Sequence, residues 1–150
     1  MSVEAFVTEY PNLSKFLNNN VIIRNDSIES SETALWDTGA TGTCISKDVV
    51  ANLNLVPHGK ELMHTPSGYT IVNKYIVDVI LPSNYIARDV VVCDSEIGTQ
   101  SIGVLVGMDI ITLGDFSVSN YNGKTVFTFR TPSQERIDYV NNKYKTIEQY

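Results

Sequence analysis

One stretch constrains the fold more than any other: Ala34-Leu35-Trp36-Asp37-Thr38-Gly39-Ala40-Thr41. Apolar residues that suit a buried strand lead into a single carboxylate and then a Thr-Gly turn. A charge at the end of a buried strand is costly unless neighbouring dipoles hold it. Gly39 lets backbone N–H groups close on the carboxylate, and the Thr38 hydroxyl can lock the turn. The stretch asks for a buried strand ending in a tight, backbone-lined loop.

The rest of the chain fits such a loop into one domain. At 150 residues it is long enough to bury around two-thirds of its unfolded surface. Hydrophobic residues at 43% against 19% charged predict a globular chain, not a disordered one. A net charge of −6, with no basic run, argues against nucleic-acid and anionic-membrane partners, which need a basic patch. No signal segment and no apolar run of membrane-spanning length stands in the sequence, so a cytoplasmic protein is the default expectation. Cys44 and Cys93 have no C-x-x-C partner and read as buried free thiols; His58 and His64 lack the company of a zinc site. No metal and no cofactor are expected.

Taken in order, residues 1–20 stay ambiguous. Val3, Phe6, Val7 and Tyr10 fit a helical stripe, continued by Leu13, Phe16 and Leu17, while Phe6-Val7-Thr8 fits a short strand equally well. Asn18-Asn19-Asn20 reads as a turn. Val21 to Arg24 and Thr33 to Trp36 suit a hairpin whose second strand delivers Asp37. Thr43 to Ser46 reads as another buried strand, after which Ser46 caps a short helix to about Leu53. Pro66-Ser67-Gly68 centres a hairpin between residues 61 and 72, with Gly68 at a positive φ. Tyr75 to Leu81 and Tyr85 to Cys93 are strong strands joined at Pro82-Ser83-Asn84, and Asp94 to Ser101 is a loop. Met108 to Leu113 reads as a short helix stopped by Gly114, and Asn122-Gly123 as the turn of a last hairpin. Beyond Pro132, Ile137, Val140, Tyr144 and Ile147 are spaced as on an amphipathic helix.

A second motif, Leu105-Val106-Gly107-Met108-Asp109-Ile110-Ile111, lies roughly seventy residues past the first, within a single-domain span. Together the two motifs, in this order and with a hairpin between them, resemble retropepsin-like (retroviral-type) aspartic proteases, in a single-domain form of bacterial or phage type. The resemblance covers about residues 20 to 130. It implies an all-β closed barrel with one or two short helices, one lobe per chain, over 21–130. Residues 1–20 then form an N-terminal segment with a possible dimer contact, and 131–150 a C-terminal helix. It also implies roles. Asp37 would be catalytic, with Thr38, Gly39 and Ala40 as its loop; Pro66, Ser67 and Gly68 would tip a flap closing over an extended peptide. Leu105, Val106, Gly107 and Ile110 would support the loop or line a subsite.

Chemistry makes one carboxylate insufficient. Hydrolysing a peptide with neither metal nor nucleophilic side chain takes two carboxyls about 3 Å apart, sharing one proton because both cannot ionise. One draws a proton from water while the other donates to the carbonyl oxygen. Asp109 precedes Ile-Ile and Asp115 precedes Phe-Ser, so no second loop exists. A two-fold homodimer, each copy lending Asp37, is the simplest completion, with a peptide or protein substrate and a bell-shaped pH profile. Viral members of the family commonly carry an acidic residue where this chain has Thr41 and Arg where it has Met108. That charged pair spans their dimer, so this dimer must be held otherwise. The alternatives are a catalytically silent dimerisation or peptide-binding module on the same fold, and an interaction domain working through its C-terminal helix.

Overall fold

The computed structural model describes residues 2–97 and 101–141. Ten strands dominate them: β1 (Glu4–Glu9), β2 (Asn18–Asn25), β3 (Ile28–Trp36), β4 (Cys44–Ser46), β5 (Gly59–Thr65), β6 (Gly68–Ile80), β7 (Ile86–Ser95), β8 (Val104–Val106), β9 (Asp115–Ser119) and β10 (Val126–Thr131). Two short helices accompany them, α1 (Lys47–Asn52) and α2 (Met108–Ile111). The order β2-β3-β8-β4-β7-β6 closes on itself through a β2–β6 pairing, giving a six-stranded barrel. β5 pairs only with the outer half of β6, so the two project from the barrel as a hairpin. A separate sheet, β1-β10-β9, covers one side.

Period-two burial explains the barrel. Val21 and Ile23 on β2, Tyr75, Val77 and Val79 on β6, and the following Leu81 all turn inward and are almost fully buried. Asp78 faces the other way, where Arg24 Nη2 donates to it at 2.9 Å and Asp89 N–H at 3.0 Å. Those hydrogen bonds, Asp89's first, hold its carboxyl below the usual range. The three-stranded sheet joins the barrel through aromatic rings. Trp36 lies 5.3 Å from Phe6 and 5.2 Å from Phe129, centroid to centroid, and stacks on Phe116 at 5.9 Å. Such pairs each add roughly 0.5–1.5 kcal/mol beyond burial. Ser46 caps α1 through its side chain, as the sequence suggested.

Several expectations change. The open choice at the N-terminus resolves as a strand: Phe6 pairs with Phe129 in register, and residues 11–17 are not helical. Asn18-Asn19-Asn20 is not a turn but the start of β2. There Asn18 exchanges hydrogen bonds with the Tyr10 hydroxyl, and Asn19 Oδ1 accepts from Trp36 Nε1 at 2.9 Å. Asp94 belongs to β7, where Asn73 N–H and the Tyr75 hydroxyl satisfy its buried carboxylate. Gly114 follows α2 because a side chain there would strike the Arg130 carbonyl, not for a left-handed backbone. No helix forms over 133–141. Asp115 accepts from Ser133 Oγ and Gln134 N–H, and Asp138 from the backbone N–H groups of Val140 and Asn141, so side-chain acceptors displace helical ones. Tyr144 and Ile147 lie outside the described residues.

Candidate active site

The Asp37 loop is built around the end of β8. β3 runs parallel to β8, with Leu35 opposite Leu105 and Trp36 opposite Val106, while β4 returns antiparallel on the other side, Cys44 opposite Leu105. The loop from Asp37 to Thr43 must therefore wrap the residues that leave β8. Asp37 N–H extends the ladder to Val106 O at 2.9 Å. Met108 N–H then donates to Ala40 O at 2.8 Å, and Asp109 N–H to Thr41 O at 3.2 Å. This approach demands glycine at 107. A Cβ there would sit 2.5 Å from Gly42 O and 3.0 Å from Ala40 O, and backbone cannot step aside.

At the loop's edge Asp37 is half-exposed, and Thr38 and Gly39 are open to solvent. Gly39 N–H donates to Asp37 Oδ1 at 2.8 Å, and a Cβ on Gly39 would crowd that oxygen at 3.1 Å. Among the described residues Asp37 Oδ2 has no hydrogen-bond partner, which leaves it with acceptor capacity. Ala40 is half-buried and Val106 is buried beneath the loop; Leu105 is half-buried next to Cys44. Ile110, expected to support the loop or line a subsite, is 1% exposed and packs in the core, which removes it from any open subsite.

Two residues to which the sequence reading gave no role at the site tie it together. Thr43 N–H donates to Asp109 Oδ2 at 3.0 Å, and its hydroxyl to Asp109 Oδ1 at 2.7 Å, while accepting from Gly107 N–H at 3.2 Å. Asp109 Oδ1 also accepts from Ile110 N–H at 2.9 Å. The signal was present in Met108-Asp109-Ile110-Ile111: a carboxylate among apolar neighbours needs donors from elsewhere.

Pro66 and Ser67 form the tip of the β5–β6 hairpin, with Gly68 at φ +131° and the Thr65 hydroxyl donating to Gly68 O at 3.1 Å. The hairpin base leans on β7, where Cys93 Sγ donates to Glu61 Oε2 at 3.4 Å. Among the described residues no hydrogen bond joins this tip to the Asp37 loop. Cys44 and Cys93 face each other in register across β4 and β7 and are half-buried, not deeply buried. Burial first, then Asp109 and other carboxylates, raises the Cys44 thiol; burial and Glu61 push Cys93 up to about 12. Both thiols stay protonated at neutral pH, so neither is an activated nucleophile. Among the described residues no cluster of His, Cys, Asp and Glu gathers as a metal site, and no helix is long and apolar enough to cross a membrane.

Comparison with solved structures finds the same architecture in a retropepsin-like aspartic protease from Rickettsia conorii. The match covers 87% of this chain and 97% of that one, with a TM-score of 0.56 and 13% identity. The chain has the retropepsin-like fold. No protein-family model matches the sequence, and no curated protein does. The retropepsin-like barrel thus rests on shape at low identity, and the loop geometry above comes from this chain's own residues.

Proposed function

We propose that this protein is a retropepsin-type aspartic endopeptidase, a single-domain member of bacterial or phage type. Two copies pool their Asp37 side chains at a two-fold axis, with a peptide or protein segment as substrate. The observation that carries the reading is Asp37 itself, held from behind by the Gly39 N–H while its other oxygen stays unfilled at the loop edge. One Asp37 of the pair, ionised, takes a proton from water; the other, protonated, donates to the scissile carbonyl. Thr38 braces one loop against its twin, and Gly39 and Ala40 offer backbone to the substrate. The hairpin tip at Pro66, Ser67 and Gly68 closes over the extended peptide, and Leu105 faces its side chains. Asp37→Asn keeps the fold and its melting temperature and lowers peptide cleavage at least about a thousandfold. Cleavage at the wild-type rate by that variant would end the proposal. Tight peptide binding by the wild-type chain without turnover at any pH would favour a silent binding module.

A further inference from the structure

A row of residues crosses the barrel wall from the Asp37 strand to the base of the projecting hairpin. Leu35 on β3 stands opposite Leu105 on β8, Leu105 opposite Cys44 on β4, Cys44 opposite Cys93 on β7, and Cys93 opposite Lys74 on β6. Residues paired in register point to the same face of a sheet, so the two thiols lie side by side. Cys93 N–H donates to Thr43 O at 3.3 Å, which seats the pair in the parallel ladder. Both cysteines are half-buried, so each keeps some surface open to a small solute.

We propose that Cys44 and Cys93 close into a disulfide within one chain when the protein meets hydrogen peroxide, and that this bond shuts off cleavage at Asp37. The control of cleavage rests on the protease reading; the bond does not. Neighbouring strands lie about 4.7–4.9 Å apart, inside the roughly 4.4–6.8 Å between Cα atoms that a disulfide spans. One thiol takes an oxygen from the peroxide to become a sulfenic acid, and water leaves. The second thiol's sulfur then displaces that oxygen as another water, forming S–S. Two thiols give up two electrons and two protons, and one peroxide is reduced to two waters. Burial, then Asp109, Glu61, Asp37 and Asp94, keep Cys44 protonated; burial, Glu61 and Cys44 outweigh Lys74 in doing the same for Cys93. The reaction is therefore slow at neutral pH and answers sustained exposure, not a trace.

Two consequences reach the site. The bonded Cys93 Sγ has no hydrogen left to donate to Glu61 Oε2 at 3.4 Å, so the hairpin loses that tie at its base. A disulfide also holds its Cβ atoms about 3.5–4.5 Å apart, closer than neighbouring strands stand, so Cys44 is drawn towards β7. Thr43, the residue before it, makes the hydrogen bonds to Asp109 and Gly107 that brace the Asp37 loop. The bond thus acts on the hairpin and on the loop together.

Hydrogen peroxide treatment of the reduced full chain tests this, with remaining thiols then alkylated and the products read by mass spectrometry. The expected product is a single chain lighter by two hydrogen atoms, its Cys44 and Cys93 peptides linked. It cleaves peptide about a hundredfold more slowly than the reduced chain, the scale of a roughly 1 Å misplacement at a site, and a thiol reductant restores mass and rate together. The double variant Cys44→Ser, Cys93→Ser, treated alike, forms no link and loses no activity that the reductant restores. Linked chains that cleave as fast as reduced ones overturn the switch while the protease reading stands. So do thiols that stay free and unlinked at a peroxide dose that has already turned Met63 and Met108 into sulfoxides. Bonds between chains in place of a bond within one overturn it too. A chain that links but cleaves in neither state ends the protease reading and, with it, the control of cleavage.

Discussion

Asp37 and Asp115 both stand where a strand meets a glycine-containing loop, yet the chain fills them differently. Asp115 accepts from Arg130 Nε at 2.8 Å, from Gln134 N–H at 2.8 Å and from the Ser133 hydroxyl. Ser133 first, then Gln134 and Arg130, hold its carboxyl down at about 2. It is a tether, with its acceptor sites occupied. Asp37 takes one backbone N–H on one oxygen and leaves the other open. Each corner also has a glycine pressed onto backbone, Gly107 against Gly42 and Ala40, Gly114 against Arg130. The packing devices match, and what differs is how far the chain itself fills the carboxylate's acceptor sites.

Alanine at the two glycines presses hardest on this comparison. Gly114→Ala drives a Cβ into the Arg130 carbonyl and costs about 3 kcal/mol in denaturant unfolding, the upper end for overpacking. Gly107→Ala costs about 2 kcal/mol by the same measure. The two part company in turnover. Assayed cold enough that both are folded, the Gly114 variant cleaves nearly as wild type and the Gly107 variant does not, because only the latter shifts the Asp37 loop. Equal turnover in both would erase the distinction between the corners.

Asp109 falls between the two aspartates, saturated like Asp115 but bonded to the Asp37 loop. Asp109→Asn replaces one acceptor oxygen with a donor facing the Thr43 and Ile110 donors. It loses about 1–3 kcal/mol of stability, measured by thermal melts, and lowers turnover at constant substrate affinity. A melt and a rate equal to wild type would show that the Thr43 clamp is idle.

The smallest effect is in pH. Asp115's folded value lies below its ordinary 3.8, so its contribution to stability is complete above that value and fades as pH falls towards about 2. Followed by NMR, the Asp115 carboxyl titrates near 2, and amide exchange at residues 133–135 quickens over the same interval. Titration near 4 would mean the tether is loose in solution.

Much of this arrangement was legible before any coordinates, and the reasons are local. Trp36-Asp37-Thr38-Gly39 announces a strand and a turn by residue type alone, Ser46 caps α1 from one position away, and Asn122-Gly123 supplies two consecutive positive φ angles. Misses occurred where a distant partner decides. The Asn18 to Asn20 run looks like a turn until Tyr10 and Trp36 satisfy its side chains. The helical spacing after Ser133 is real, but Asp115 and Asp138 capture the backbone N–H groups first. Thr43 and Asp109 meet across the fold, and no window along the chain contains both.

The parallel register of β3 and β8 also sets when, during synthesis, the Asp37 loop can take its shape. The acceptors and donors that shape the Asp37 loop come from Val106, Met108 and Asp109, so a nascent chain that has not yet emerged past α2 carries the acid but no scaffold for it. The loop's shape is deferred until most of the polypeptide exists.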